Sequence, residues 1–295
     1  MHGFKSYHPI VNIIYFLFVL VFSCAILQPI CLGISLVCTV SYALVTGGRK
    51  TLKFLCFYAL PVMIITAIVN PLFNHRGMTV LTYFSNGNPL TLESIVYGGV
   101  MAIMLCSVLC IFSAYNKVMT SDKFISIFGK IIPTFSLILS MIMRFVPVFF
   151  HKLSEIRRGQ KCIGKDVADG GVVQRAKNGL RILSVMTTVS LEDSVEMADS
   201  MRSRGYGLSG RTSYTDFVFD KRDFAALTVI LILGIYVIVG WIFGALEYRY
   251  QPTVRMGDIT PYSISVMASY FLLYSIPLII EIKEGIRWKL LKRKI

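Results

Sequence analysis

Thiols and imidazoles are the side chains in this 295-residue chain that are best suited to bind a metal or to act as nucleophiles. Cys106 and Cys110 are spaced to share one helix face, but two thiols make an incomplete metal site, so we interpret them, like the other four cysteines inside predicted spans, as apolar packing residues. The sequence has no CxxC pair, no Cys/His cluster and no phosphate-binding loop. We therefore predict no metal site, no bound cofactor and no catalytic residue. The cysteines are at positions 24, 31, 38, 56, 106, 110 and 162, and the histidines are at 2, 8, 75 and 151.

An arginine at a predicted helix end indicates a different chemistry, the docking of a partner protein. Helical spacing of apolar residues predicts a helix from about Val172 to Arg204. Gly205 can adopt the left-handed conformation that ends a helix, so the always-charged Arg204 guanidinium would lie on the last turn, where a cation suits the helix dipole. A basic helix that lies on anionic lipid is the alternative interpretation. The apolar residues at helical spacing are Leu191, Val195 and Ala198.

The segment before this helix is also amphipathic. An apolar stripe at helical spacing is flanked by basic residues that lie largely off it, which predicts a helix. Gly164 is the predicted stop of this helix, and residues 166–171 form a predicted turn. The stripe consists of Phe149, Leu153, Ile156, Gln160 and Ile163, and the basic residues are Arg157, Arg158, Lys161 and Lys165.

Long apolar blocks make up most of the remaining chain. Hydrophobic residues are 55% of the sequence and charged residues only 16%, whereas soluble domains carry about 25% charged residues. About 20 apolar residues span a bilayer as a helix, which satisfies its own backbone hydrogen bonds. The sequence predicts an all-α fold, a polytopic membrane helix bundle with about six transmembrane helices and additional amphipathic helices. The predicted spans are Ile10–Gln28, Pro29–Val45, Phe54–Val69, Leu92–Tyr115, Phe224–Leu246 and Tyr262–Ile282.

This pattern divides the chain into three parts. Residues 1–130 hold transmembrane helices 1–4, residues 131–222 form a membrane-interface and amphipathic region, and residues 223–295 hold helices 5–6 and a basic tail. Small residues at 23–25 would also suit the cleavage site of a signal peptide. Because a second apolar block follows almost at once, we predict that the first block is retained as a span.

The net charge of +14 fits nucleic acid, acidic partners or the excess of positive charge on the inner side of a membrane protein. With the N-terminus inside and six spans, 27 of the 30 Lys and Arg residues fall on inner segments. This distribution favours the membrane interpretation over nucleic-acid binding. We predict a cell-membrane protein whose N-terminus, residues 116–223 and C-terminus are cytoplasmic, and whose residues 70–91 and 247–261 are external.

A seventh apolar block, Ile131–Phe150, is interrupted by Pro133, Arg144 and Pro147. If this block crossed the membrane, a strongly basic segment on one side of it would be external. We therefore predict that the block bends and returns to the inner face, either at the interface or packed shallowly among the spans.

Five short motifs occur in order along the chain. They are Tyr7-His8-Pro9, Asn70–Gly77, Gly87–Glu93, Arg144–Pro147 with Glu155 and Gln160 at the expected intervals, and Ala198–Gly207, which includes Arg202. The ordered set resembles the transmembrane T component of energy-coupling factor (ECF) transporters, the EcfT/CbiQ-like family within the ABC transporters. The resemblance runs over most of the chain, and the last motif is its most specific part.

The resemblance implies that two three-residue signatures, at the ends of two cytoplasmic coupling helices, contact ATPase subunits. The second signature is Ser203-Arg204-Gly205, which keeps the family's arginine. The first position is Cys162-Ile163-Gly164, where Ile163 replaces that arginine. Ile163 could fill an apolar groove, or Lys161 or Lys165 could supply a charge nearby.

The resemblance also implies partners. Two ABC ATPase subunits bind the ATP, and a small membrane S component captures a vitamin or a metal ion. The chain itself would pass ATPase closure to the S component. The substrate, the number of S components served and the identity or difference of the two ATPases are left open.

Rival functions come from other classes. An intramembrane enzyme would need paired acids or His and acid clusters, and the predicted spans contain almost no ionisable residues. A stand-alone secondary transporter usually shows internal repeats, which we do not find between the two halves. A membrane scaffold without ATPase partners remains a further alternative.

Overall fold

The computed structural model describes residues 3–75, 77–83, 88–131, 133–167, 171–206, 217–250, 255–257 and 260–292. The all-α prediction is confirmed, because helices make up nearly all of the regular structure. Parts of the predicted motifs and of the predicted turn, namely Arg76, Gly87, residues 168–170 and Gly207, lie outside the described residues. The α-helices are α1 Pro9–Ala25, α2 Pro29–Phe54, α3 Leu60–Phe73, α4 Leu92–Val118, α5 Ser121–Ile131, α6 Pro133–Cys162, α7 Val172–Ser203, α8 Lys221–Ile242 and α9 Pro261–Lys292.

The chain forms two compact units, which we describe separately. The first unit comprises Met1–Phe124 and Phe217–Ile295, and the second comprises Ile125–Asp216. By length and composition, five helical stretches of the described residues could cross a membrane, and the 17-residue helix α1 is a shorter apolar helix. The five stretches are Pro29–Phe73, Leu92–Val118, Leu137–Cys162, Lys221–Ile242 and Pro261–Lys292.

The stretch Pro29–Phe73 is long enough for two crossings, and Gly48 divides it into two helical arms. A straight helix of 45 residues would be about 68 Å long, more than twice the roughly 30 Å hydrocarbon core. Gly48 breaks the helical path with φ 54° and ψ −140°, a conformation that only glycine adopts readily. Ala43 and Ala59 consequently pack in the same core cluster. The two arms correspond to the two predicted spans, and the residues on both sides of Gly48 are helical.

Helices α2 and α3 meet through a π-helical segment, Leu55–Ala59, and both pack against α4. Helix α9 packs against α2 and α8, and α1 packs against α4 and α8. The six predicted spans thus correspond to α1, the two arms of Pro29–Phe73, α4, α8 and α9, and all of them belong to the first unit.

The core of the first unit includes the buried Tyr274, whose hydroxyl is paired inside it. The Tyr274 hydroxyl donates to the Val19 carbonyl at 2.8 Å and lies 2.7 Å from Ser23 Oγ. Four cysteines pack as predicted, since Cys31, Cys38, Cys106 and Cys110 are buried in the core clusters. The same prediction is wrong for the thiols at positions 24 and 56, which are exposed on the protein surface.

The N-terminal segment is anchored to one end of this unit. The Lys123 ammonium donates to the carbonyls of Lys5 at 2.5 Å and Tyr7 at 3.2 Å. Burial, together with the nearby charge of Lys5, lowers the pKa of Lys123 to about 8. Asp223, at the start of α8, accepts a hydrogen bond from the His8 backbone at 3.3 Å, so the chain before α1 is held between the starts of α5 and α8.

Two small antiparallel hairpins were not predicted. Strands β1 Val80–Tyr83 and β2 Pro89–Thr91 pair just before α4, and strands β3 Tyr248–Arg249 and β4 Arg255–Met256 pair between α8 and α9. The Glu93 carboxylate accepts hydrogen bonds from the backbone and hydroxyl of Thr79 at 3.2 and 2.5 Å. This contact ties the hairpin β1–β2 to the first turn of α4.

In the second unit, the seventh apolar block and the amphipathic segment after it form one continuous helix, α6. Our expectation of an interrupted, separate element is wrong, because the helix begins at Pro133 and continues through Arg144 and Pro147. Proline suits a first helical turn, whereas inside a helix it removes one backbone hydrogen bond and its ring crowds the carbonyl of the preceding turn. Helix α6 accommodates Pro147 at an exposed position. The position of α6 relative to the membrane stays a prediction.

Candidate functional site

Helices α6 and α7 pack together, and the residues predicted to dock partners lie on them. A salt bridge between Lys152 and Asp193 joins the middle of α6 to the second half of α7. An apolar groove of about 550 Å³ runs between the same stretches. The residues that line it include Val146, Phe149, Leu153, Leu183, Met186 and Leu191.

A second set of contacts holds the end of α6 against the beginning of α7. The Asp166 carboxylate lies 3.3 Å from Arg157 Nε on α6. The Asp166 carbonyl accepts a hydrogen bond from the Asn178 side chain on α7 at 2.9 Å, and both Asp166 and Asn178 are buried. These contacts position the first predicted signature, which ends two residues before Asp166.

The first signature forms a complete helix C-cap. Cys162 is the last helical residue, and Gly164 follows Ile163 with φ 72°. The Gly164 N–H donates to the Lys161 carbonyl at 3.0 Å, and the Lys165 N–H donates to the Gln160 carbonyl at 3.0 Å. This pair of hydrogen bonds is a Schellman motif, in which the glycine adopts the left-handed conformation. The Ile163 side chain is 66% exposed although it is apolar.

The second signature forms the same cap. Ser203 is the last residue of α7, Arg204 is its C-cap, and Gly205 follows with φ 79°. The Gly205 N–H donates to the Arg202 carbonyl at 3.0 Å, and the Tyr206 N–H donates to the Met201 carbonyl at 3.0 Å. The predicted role of each glycine as a helix stop is therefore confirmed.

The two caps correspond position by position, so Ile163 and Arg204 occupy equivalent sites. Arg204 is exposed, and within the described part of the chain its guanidinium forms no ion pair. The backbone hydrogen bonds that close each cap leave the side chain of the central residue available for another molecule. At the centre of each cap, the exposed side chain is therefore apolar on α6 and cationic on α7.

The two ends are far apart. The end of α6 lies beside Asn178, because Asp166 binds that residue. Arg204 follows Asn178 by 26 positions along α7 and its C-cap, and at 1.5 Å per residue this corresponds to about 40 Å. A single small partner cannot cover both ends, whereas two separate partner subunits can.

The other predicted residues lie along the same helices. Arg144 and Pro147 are exposed on α6, and Glu155 lies 3.5 Å from His151 Nδ1 one turn earlier. The backbone carbonyls of Gln160 and Arg202 accept hydrogen bonds that close the two caps. The structure does not bring these side chains together into one site, and it shows no polar contact from Arg144 among the described residues.

The Asp166–Asn178 contact and the Lys152–Asp193 salt bridge were missed at the sequence level. The only available signal was Asp166 itself, an acid directly after a helix stop. Its buried partner on the next helix has no signature in the sequence.

Comparison with known proteins identifies the family. A family model named CbiQ, described as a cobalt transport protein, matches residues 5–214, which is more than half of the chain and includes α6, α7 and both caps. This chain belongs to the CbiQ family. The predicted resemblance to the T component of ECF transporters is confirmed by this match and by the curated relatives.

Curated relatives carry the name energy-coupling factor transporter transmembrane protein EcfT. The protein from Lactobacillus helveticus is 36% identical over 118 residues, which are 39% of this chain and 43% of the relative. The Brevibacillus brevis protein is 28% identical over 225 residues, which are 69% of this chain and 83% of the relative. The Acidaminococcus fermentans protein is 31% identical over 164 residues, which are 52% of this chain and 60% of the relative.

This CbiQ-family chain is thus a multi-pass membrane protein of the transporter type. Ile163, the position at which the resemblance led us to expect an arginine, lies in a cap whose backbone hydrogen bonds are intact.

Proposed function

We propose that this chain is the coupling subunit of an ECF-type ABC importer that takes up a vitamin or a metal ion. In this proposal two ABC ATPase subunits dock on the ends of α6 and α7 and bind the ATP, while a small membrane S component captures the substrate. The chain transmits ATPase closure to the S component. The observation that supports this most directly is the pair of equivalent, exposed helix ends about 40 Å apart on one helix pair.

The two ends suit two different ATPase surfaces. An exposed guanidinium such as that of Arg204 pairs in a bidentate manner with a carboxylate. Ile163 is uncharged and apolar, so the matching surface on an ATPase would be an apolar groove. We infer that the two ATPase subunits differ in the pocket that receives the helix end, with an acidic pocket for α7 and an apolar one for α6.

The apolar groove between α6 and α7 is the proposed contact for the S component. Its lining is mostly apolar, with the hydroxyls of Thr187, Ser190 and Ser194 as the polar side chains, and the proposed S component is a small hydrophobic membrane protein. A groove that spans both coupling helices would let a movement of either helix end change the contact. Substitution of Leu183 by Asp should reduce retention of the S component and leave ATPase binding unchanged.

The orientation is part of the proposal. The positive-inside count places the N-terminus, residues 116–223 and the C-terminal tail on the cytoplasmic side. A cysteine that replaces Val172, which is 84% exposed, should react with a membrane-impermeant thiol reagent only after the cells are opened, in a background where native thiols are replaced. Labelling of this cysteine in intact cells would contradict the orientation.

The direct test of the function is affinity purification of the full chain in mild detergent with identification of the bound subunits. We expect two ABC ATPases and a small hydrophobic membrane protein. If no ATPase is retained and substrate uptake proceeds without one, the chain is a stand-alone transporter. If no ATPase is retained and no uptake depends on the chain, it is a membrane scaffold.

A further inference from the structure

The turn between the two arms of Pro29–Phe73 encloses a lysine from another helix. Lys117, in the last turn of α4, donates a hydrogen bond from its ammonium to the Thr51 hydroxyl. Gly47 lies directly beneath this contact, because a Cβ at that position would collide with Lys117 Nζ and Thr51 Oγ1. Gly48 then turns the chain with its positive φ. The geometry of the turn therefore fixes the position of the Lys117 ammonium.

Positive charge is concentrated at this turn. Arg49, Lys50 and Lys53 are exposed on it, and the charge of Lys50 acts repulsively on Lys117. No ion pair within the described residues involves any of these four groups. Of the three N–H donors of the Lys117 ammonium, one has an acceptor among the described residues. We call Gly47–Lys53 together with Lys117 the basic turn.

The surroundings of the basic turn are apolar. Leu52 is 53% exposed, and Phe57 and Tyr58, one to two helical turns further on, are 74% and 66% exposed. The ring of Tyr58 stacks on that of Phe54 at 5.7 Å. Aromatic residues beside a basic cluster at the end of membrane-spanning helices are typical of the headgroup level of a bilayer. A ligand at the basic turn must therefore have an anionic group and must tolerate apolar contacts.

We propose that the basic turn is a binding site for the phosphate group of an anionic phospholipid such as phosphatidylglycerol. The free N–H donors of Lys117 and the side chains of Arg49, Lys50 and Lys53 provide donors for the phosphate oxygens. The exposed side chains of Leu52 and Phe57 offer apolar contacts to the lipid beside its headgroup. Basic pockets between membrane helices bind anionic headgroups in this way. The site is independent of the proposed transport function, because it lies in the first unit and uses neither helix end.

Native mass spectrometry of the full-length chain, purified in detergent and supplied with phosphatidylglycerol or phosphatidylcholine, tests the site. We expect selective retention of phosphatidylglycerol, and about fivefold weaker retention for Lys117→Gln, since one lysine near an anionic lipid surface contributes about that factor. Gly47→Ala should weaken retention similarly with every charge unchanged, because its Cβ displaces the ammonium from Thr51. Lys283→Gln removes one exposed charge from α9 and should leave retention unchanged.

The outcomes separate the proposal from its rivals. Equal retention by the unchanged chain, Lys117→Gln and Gly47→Ala would overturn the site, and so would equal retention of the two lipids. Loss of retention in Lys283→Gln to the same extent would indicate a diffuse charge effect and would also overturn it. If inorganic phosphate at millimolar concentration displaces phosphatidylglycerol, the ligand is a soluble phosphate and the lipid assignment is wrong. A melting temperature that matches that of the unchanged chain shows that a variant is folded.

Discussion

The ends of α6 and α7 have the same backbone and different side chains. Gly164 and Gly205 have nearly the same positive φ, and the hydrogen bonds of the two Schellman motifs match in pattern and in length. The central residue is isoleucine in one cap and arginine in the other. The difference shows that the cap conformation depends on the glycine and on backbone carbonyls, and not on the residue between helix and glycine.

Because the cap does not depend on the side chain of its central residue, that residue can differ according to the partner that it contacts. The α6 cap is closed with isoleucine at the position where the resemblance led us to expect arginine, so folding of the cap does not require arginine there. Exposure supports this interpretation, because an isoleucine that is 66% exposed contributes little to the stability of its own helix. The comparison therefore predicts unequal consequences for side-chain substitutions and equal consequences for glycine substitutions.

Truncation of Arg204 should have the largest effect. Loss of an arginine that is buried against a carboxylate in an interface costs about 2–5 kcal/mol, largely because the partner charge is left unpaired. At about 1.4 kcal/mol per tenfold change, ATPase affinity should fall by roughly one and a half to three and a half orders of magnitude. Arg204→Ala should therefore abolish uptake without changing the amount of chain in the membrane, as measured by ATPase pull-down and transport assays.

Two variants control this experiment. Arg204→Lys should restore binding only in part, because lysine lacks the planar fork that pairs with both carboxylate oxygens. Arg181→Ala removes an exposed arginine from the same helix, 23 positions before the C-cap, and should leave binding nearly unchanged. Intact ATPase binding and uptake in Arg204→Ala would favour the interpretation of α7 as a helix that lies on lipid.

Substitution of Ile163 should have the next largest effect and should distinguish the two ends. Ile163→Asp places an unpaired charge in the proposed apolar pocket, and we expect roughly ten- to hundredfold weaker ATPase binding, since buried charges without partners are costly. Ile163→Arg should be tolerated at least in part, because an arginine keeps an apolar stem and extends its charge toward solvent. Pull-down with each ATPase separately measures both effects. Normal assembly with Ile163→Asp would show that the end of α6 does not contact an ATPase.

Alanine at the two cap glycines should produce smaller effects that are equal at the two ends. A residue with a Cβ in the left-handed conformation costs about 1–2 kcal/mol. Gly164→Ala and Gly205→Ala should therefore lower the free energy of unfolding of the second unit by similar amounts, as measured by denaturation in mixed micelles. A large loss at one position and none at the other would mean that the two caps are not equivalent, and the comparison would fail.

The helix ends were predictable because a C-cap is a local structure. Helix α7 and both glycine stops follow from apolar spacing and from the conformational freedom of glycine, which are properties of neighbouring residues. The continuity of α6 was not predicted, since a proline inside an apolar block suggests an interruption. In the structure Pro147 removes one backbone hydrogen bond, and α6 continues because the other turns keep theirs.

The packing of the two helices was less predictable for the opposite reason. Lys152 and Asp193 are 41 positions apart, and the buried Asn178 that binds Asp166 belongs to another helix. Such pairs depend on the three-dimensional arrangement, so no local pattern signals them. The same holds for the basic turn, where the position of Lys117 beside Gly47 follows from the packing of α4 against the two arms.

Substitution of the lysines beside Ile163 should have the smallest effect, and it tests whether the two helix ends bind their partners through different chemistry. Lys161 and Lys165 are exposed on either side of it, so their charges remain at the rim of the proposed interface. Rim charges act mainly on the association rate and on its salt dependence, and an exposed pair contributes only about a two- to fivefold factor. The double variant Lys161→Gln, Lys165→Gln should therefore bind the ATPase at this end a few times more slowly at low salt and about equally at high salt, as followed by surface plasmon resonance.

An unchanged rate at low salt would show that the end of α6 binds through Ile163 alone. A loss as large as that of Arg204→Ala would show that these lysines replace the missing arginine, so that both ends would dock through charge.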